Sequence, residues 1–242
     1  MSAVTAYPVL ARLTNASQPV AERLMNAARH VWYSARRLWW SAYFRIEVSG
    51  AGHVPARGPV LLCGNHASHL DAPAILAALP RDVALRASTA AAKDVFGGDR
   101  HPWRSLASRL TTASLPIERE AEFAKGLRVL ERVLEERRPL VLFPEGKRSS
   151  DGQLLPFKPG AAMLAIRTGS PIVPVRLDGV DRALPKGTCL PTAADVKVRF
   201  GTPIDPAPYR QAIAEGRMTR KQAYAAMTAA LKDAIVAMAP RA

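Results

Sequence analysis

Cysteine is scarce: the 242 residues hold only Cys63 and Cys189. Two cysteines cannot build a disulfide framework, and their spacing matches no zinc pattern, so a reducing cytoplasm is the expected setting. No apolar run approaches the roughly 18 residues that mark a membrane span. The opening MSAVTAYPVLARLTNASQ lacks a basic stretch followed by an apolar one, so no signal peptide is expected. There is no G-x-S-x-G, and neither cysteine stands in a nucleophile motif, which argues against a nucleophilic triad. Internal repeats and low-complexity segments are also missing.

Acidic residues are the minority, 20 against 34 Lys and Arg, for a formal charge of +14. Ordinary solvated arginine accounts for part of this excess. The remainder favours an anionic partner: nucleic acid, an acidic membrane surface or a phosphorylated substrate. Nucleic acid is not expected, because no zinc-finger spacing or RNP-like run accompanies the charge.

What is present is a chain that is 48% hydrophobic and long enough for one sizeable α/β domain. The segment from Val20 to Phe44 has no internal Gly or Pro and reads as a helix. It gathers Trp32, Tyr33, Trp39, Trp40, Tyr43 and Phe44 among Arg23, Arg29, Arg36, Arg37 and Arg45. Such a helix suits a bilayer interface, or packs its aromatic face on the core, or does both with different faces.

Downstream, strands are predicted at FRIEVSG, PVLLC, Thr111–Ile117, PLVLFP, PIVPVRLDG and VKVRFG. Helices are predicted at about Leu70–Leu79, Glu120–Arg137, AAMLAIRTG and Met218–Met238. The last carries Tyr224, Met227, Leu231, Ile235 and Met238 at helical spacing, a core-facing stripe. This alternation predicts an α/β fold: a mixed, largely parallel sheet flanked by helices, after an N-terminal amphipathic helical segment.

Two stretches carry candidate chemistry. In GNHASHLDA, Ser68-x-x-Asp71 has the form of a capping box, which leaves His66 unexplained. A metal site on His66, His69 and Asp71 lacks the H-x-H-x-D-H spacing of zinc hydrolases and is not expected. The third reading makes His66 a general base at the carboxyl end of a strand, with Asp71 fixing its tautomer. Five residues turn about 140° on an ideal helix. The pair therefore works only if His66 lies in the loop and Asp71 folds back from the helix start. In VLFPEGKRSSDG a strand meets a tight turn, Glu145-Gly146, followed by Lys147, Arg148, Ser149 and Ser150. That turn offers basic groups, hydroxyls and free amides to a phosphate.

Together these stretches resemble the glycerolipid acyltransferases of the lysophosphatidic-acid acyltransferase family. NHASHLD resembles the family's NHxxxxD signature, and FPEGKRS its FPEGTRS block. LPIERE (Leu115–Glu120) and SPIVPV (Ser170–Val175) resemble its second and fourth blocks. The four occur in family order, over roughly Phe44 to Pro203. Lys147 replaces the commoner Thr, and Ala113 and Pro116 replace a Gly and an aromatic residue, which leaves the acceptor's identity open.

The resemblance implies that His66 deprotonates an acceptor hydroxyl, which attacks an acyl-CoA or acyl-carrier-protein thioester, with Asp71 orienting His66. It implies acceptor binding by Arg119, Glu145, Gly146, Lys147, Arg148 and Ser149. No metal and no cofactor beyond the acyl donor are expected. The expected partners are a lysophospholipid, by default 1-acyl-sn-glycerol-3-phosphate, and an anionic membrane surface at the cytoplasmic face of the cell membrane, bound peripherally. Another lysolipid or glycolipid acceptor would use the same base, and a non-catalytic lipid-binding protein has no need of His66 and Asp71. Residues 1–45 are expected to form the membrane-association segment, and 46–242 the acyltransferase domain.

Overall fold

The run Val60–Cys63 is wholly buried, yet its alternate side chains enter different cores. Val60 and Leu62 pack in one cluster, Leu61 and Cys63 in another. Successive strand residues point to opposite faces, so an unbroken apolar strand requires cover on both sides of its sheet. The helices provide it. The computed structural model describes residues 31, 33–35, 38, 40, 42–92, 114–117, 123–149, 151–185, 188 and 190–240.

Among the described residues, seven strands form one sheet: β1 (Arg45–Ser49), β2 (Val60–Gly64), β3 (Ser88–Ala92), β4 (Ser114–Ile117), β5 (Pro139–Leu142), β6 (Ile172–Asp178) and β7 (Asp195–Phe200). Their order is β1-β7-β6-β2-β5-β3-β4. Every pairing is parallel except β6 with β7, so β1 and β7 run against the other five. The expected mixed, largely parallel sheet is the one observed.

The helices are α1 (Asp71–Ala78), α2 (Arg81–Ala84), α3 (Phe123–Glu135), α4 (Gly160–Thr168), α5 (Val180–Ala183), α6 (Ala207–Ala214) and α7 (Arg220–Ala237). Ala74, Ile75 and Leu76 of α1 cover one face of the sheet, joined by Tyr33, Trp40 and Phe44. The opposite face is covered by Leu127, Leu130 and Leu134 of α3, Leu164 of α4, and Met227, Leu231 and Ile235 of α7. The predicted stripe of α7 therefore faces the core. Among residues 31–43, those described are helical; the part of the predicted helix from Val20 to His30 lies outside the described residues. Among the described residues no helix is long and apolar enough to cross a membrane.

This topology fixes where a ligand can enter. Parallel crossovers are right-handed, so connections advancing in opposite directions along the sheet lie on opposite faces. The chain leaves β2 through α1 on one face toward β3; it leaves β5 through α4 on the other face, back across β2 to β6. Because β2 and β5 are neighbours whose helices leave to opposite faces, their carboxyl ends mark the switch point at which an open α/β sheet presents its ligand crevice. NHASHLD follows β2, and PEGKRS follows β5.

Four elements were not foreseen: β3, α2, α5 and α6. β3 is Ser-Thr-Ala-Ala-Ala, whose alanines carry no strand signal; pairing with β5 (Ser88 with Leu140, Thr89 with Val141) and β4 makes it a strand. Leu62 tests the two-sided packing. Leu62→Ala is expected to lower the unfolding free energy by about 2–5 kcal/mol, measured by chemical denaturation. Val48→Ala on β1, where the side chain is 41% exposed, should change it by less than about 0.5 kcal/mol.

Candidate active site

His66 lies in the loop after β2, and Asp71 is the first residue of α1. The Asp71 carboxylate folds back over the loop. Its Oδ2 accepts from the backbone N–H of Ala67 (2.7 Å) and of Ser68 (2.9 Å), and meets His66 Nδ1 at 2.7 Å. Asp71 is 1% exposed and His66 22%, so one partner is locked inside while the other reaches the crevice. Backbone N–H groups donate only, which keeps Oδ2 an acceptor; Nδ1 therefore carries the shared proton, and neutral imidazole leaves Nε2 with a free lone pair. Phe143 stacks on the imidazole, with ring centroids 4.2 Å apart and planes at 15°.

The capping box does not form. Leu70 is the N-cap of α1, no side chain caps it, and Ser68 Oγ instead donates to the carbonyl of Leu184 (3.0 Å). Asp71 does receive the Ser68 N–H, the returning half of such a box, but the carboxylate also serves Ala67 and His66.

Two further contacts hold the loop. The Asn65 side chain donates to the carbonyl of Leu177 (2.9 Å) and accepts its N–H (2.8 Å), so an amide continues the sheet past the end of β2. The main chain of His66 is held by the β5 loop. Its N–H donates to Glu145 Oε1 (2.8 Å), and its carbonyl accepts from the Ser149 N–H (2.8 Å). Glu145 Oε2 accepts from the N–H of Leu155 (2.9 Å).

The candidate substrate-binding residues thus separate. Glu145, expected to shape the acceptor site, is 3% exposed with its carboxylate turned inward to main-chain N–H groups. Burial holds that carboxyl above its ordinary range, against the pull of the two N–H groups and of His66. Ser149 is buried too, and its hydroxyl donates to Asp151 (2.8 Å). Gly146 takes a left-handed φ of 70° that suits glycine. Lys147 is exposed and Arg148 half-buried; neither side chain has an ion pair, and neither backbone N–H a partner, among the described residues. Arg119 and Ser150 lie outside the described residues.

Lys158, not among the residues expected from the sequence, joins this turn. Its N–H donates to the Pro144 carbonyl (2.8 Å), and its side chain lies over Gly146, where a Cβ would stand 3.3 Å from Nζ. It comes from a loop twelve residues downstream, so no local spacing could reveal it.

His69 stands at the surface with part of its ring desolvated, and that desolvation, with the nearby Arg148 and His66, holds its imidazole below its ordinary value. Among the described residues no three His, Cys, Asp or Glu side chains are grouped to hold a metal ion. Cys63 is buried in the sheet, and burial pushes its thiol far up, which makes a poor nucleophile.

Fold and crevice define an α/β protein with a histidine–carboxylate pair at a sheet switch point, beside a turn rich in cations. A family model described as Acyltransferase matches residues 45–178, more than half of the chain, and the protein belongs to that family. Among curated relatives, a 1-acyl-sn-glycerol-3-phosphate acyltransferase of Limnanthes alba is 33% identical over 171 residues, 69% of this chain and 57% of that protein. The alpha form from Homo sapiens is 28% identical over 162 residues, 66% of this chain and 55% of that one. The chain spans little more than half the length of these relatives. In three dimensions it resembles the crystal structure of the 1-acyl-sn-glycerophosphate (LPA) acyltransferase PlsC from Thermotoga maritima. The TM-score is 0.64 at 21% identity, over 96% of this chain and 88% of that one.

The amide of Asn65 bridges two buried backbone groups, so its removal orphans both. Asn65→Ala is expected to cost about 1–3 kcal/mol for each orphaned group, read as a lowered denaturation midpoint with an unchanged denaturant slope.

Proposed function

We propose that this protein transfers a fatty acyl chain from an acyl thioester, acyl-CoA or acyl-carrier protein, to the free hydroxyl of 1-acyl-sn-glycerol-3-phosphate, giving phosphatidic acid. The observation that carries the reading is the 2.7 Å contact of His66 Nδ1 with the buried Asp71 carboxylate, at the mouth of the crevice. His66 Nε2 takes the proton of the hydroxyl as its oxygen attacks the thioester carbonyl. The C–S bond then breaks, and the imidazolium returns the proton to the departing thiolate. Asp71 fixes the ring and stabilises its positive charge in between. The acceptor hydroxyl is the nucleophile, so no acyl-enzyme forms, and the chemistry calls for no metal or further cofactor.

Arg119, Lys147 and Arg148 are the residues proposed to hold the acceptor's phosphate, with Lys158, packed over Gly146, as a further cation. Arginine suits this task because its planar fork pairs two phosphate oxygens. The unpartnered N–H groups of Lys147 and Arg148 are the donors best suited to meet a phosphate or the oxyanion of the tetrahedral intermediate.

The membrane reading rests on the N-terminal helix. Tyr33, Trp40 and Phe44 turn into the core, whereas Val31 (70% exposed), Leu38 (70%) and Tyr43 (42%) face outward. Packing thus leaves a second, partly apolar face, and the formal charge of +14 complements an anionic surface. The protein would rest peripherally on the cytoplasmic leaflet, where its amphiphilic substrates lie.

Release of free thiol from palmitoyl-CoA, with and without lysophosphatidate, tests the reaction. Acceptor-dependent release that disappears in His66→Ala supports it, and Asp71→Asn should retain binding while lowering kcat by about 10²–10⁴-fold. Release independent of any acceptor would make the protein a thioesterase. Release that requires a different lysolipid would change the acceptor while keeping the chemistry.

A further inference from the structure

The loops after β2 and β5 meet at the main chain of His66. Its N–H donates to Glu145 Oε1 (2.8 Å) and its carbonyl accepts from Ser149 (2.8 Å), so the peptide groups on both sides of His66 are held by one turn. That turn also supplies Phe143, whose ring lies parallel to the imidazole at 4.2 Å. Glu145 is the residue that closes the arrangement. Its second oxygen takes the N–H of Leu155 (2.9 Å), which ties the returning strap of the β5 loop to the same carboxylate. At 3% exposure, with both oxygens facing main-chain donors, Glu145 presents no face to the crevice. A carboxylate there would also repel the phosphate that Lys147, Arg148 and Lys158 attract.

We propose that Glu145 is a positioning residue for His66: it fixes the main chain from which the imidazole projects, so that the ring meets Asp71 and Phe143 together, and it does not contact the acceptor. The inference rests on the acyltransferase reading above. Two hydrogen bonds to one buried carboxylate make the position of His66 depend on the β5 loop, although the two residues are 79 positions apart. A small displacement of a base from its proton costs rate rather than affinity. Loss of Glu145 should therefore act on kcat.

The test uses the full-length protein with Glu145→Gln and Glu145→Ala. Glutamine keeps the shape but turns an amide donor toward one of the two N–H groups; alanine removes both acceptors. With palmitoyl-CoA and lysophosphatidate, kcat should fall by about tenfold or more, with KM for lysophosphatidate within about twofold of wild type. In carbon–proton NMR of protein labelled at histidine Cε1, the His66 signal should shift or broaden in both variants. Arg148→Ala should raise KM and leave that signal in place. A raised KM with kcat retained, or an unmoved His66 signal in the Glu145 variants, would overturn the proposal. If Glu145→Ala does not fold, Glu145→Gln decides. If the wild type transfers no acyl chain to any acceptor, the functional reading fails, and the NMR comparison still decides what Glu145 does to His66.

Discussion

The Asp71 carboxylate, 1% exposed, has the N–H groups of Ala67 and Ser68 and Nδ1 of His66 around a single oxygen. A charge removed from water needs donors, and here the chain supplies them by curling the loop after β2 around the first residue of α1. The same contacts that make the charge tolerable fix the loop's shape and set which ring nitrogen of His66 faces the carboxylate. A helix cap and a base-orienting carboxylate are usually weighed as alternatives. Here no side chain caps α1, and the carboxylate serves instead the amides of the two loop residues that follow His66 and the ring itself.

The sheet makes this local device useful. β2 and β5 are neighbouring strands whose helices leave to opposite faces, so their carboxyl ends stand at the switch point of the sheet. One loop brings His66. The other brings Lys147 and Arg148 to the opening and sends Glu145 inward. Each loop is held to the body of the protein by side-chain-to-backbone contacts: Asn65 to β6, Glu145 to His66 and Leu155. The core below is packed from both faces, so the strand ends that carry the loops have a firm base. Precision in the crevice follows from the packing beneath it.

Much of this was legible in the sequence, and the exceptions have physical causes. The β2 run and the α7 stripe could be read because burial is written in their periodicity. The His66–Asp71 pair was one of three readings open in its own stretch, and the resemblance of four ordered blocks to the glycerolipid acyltransferases chose it. β3 could not be read, because Ser-Thr-Ala-Ala-Ala becomes a strand through its neighbours rather than its own preferences. The direction of the Glu145 side chain could not either: a charged residue in a turn suggests solvent, and the donors that draw it inward come from the β2 loop and from Leu155. Lys158 reaches Gly146 only once the loop has folded back. The candidate residues were therefore readable one at a time, and their grouping required the fold.

The central claim is that the buried carboxylate holds His66 with its proton on Nδ1 and a bare Nε2 toward the crevice. Nitrogen NMR of histidine-labelled protein at neutral pH reads this directly. The account predicts one dominant tautomer for His66, protonated at Nδ1, with Nε2 showing the shift of an unprotonated ring nitrogen. A ring protonated at Nε2, or an even mixture of the two tautomers, would contradict it, because neither gives the acceptor hydroxyl a prepared base.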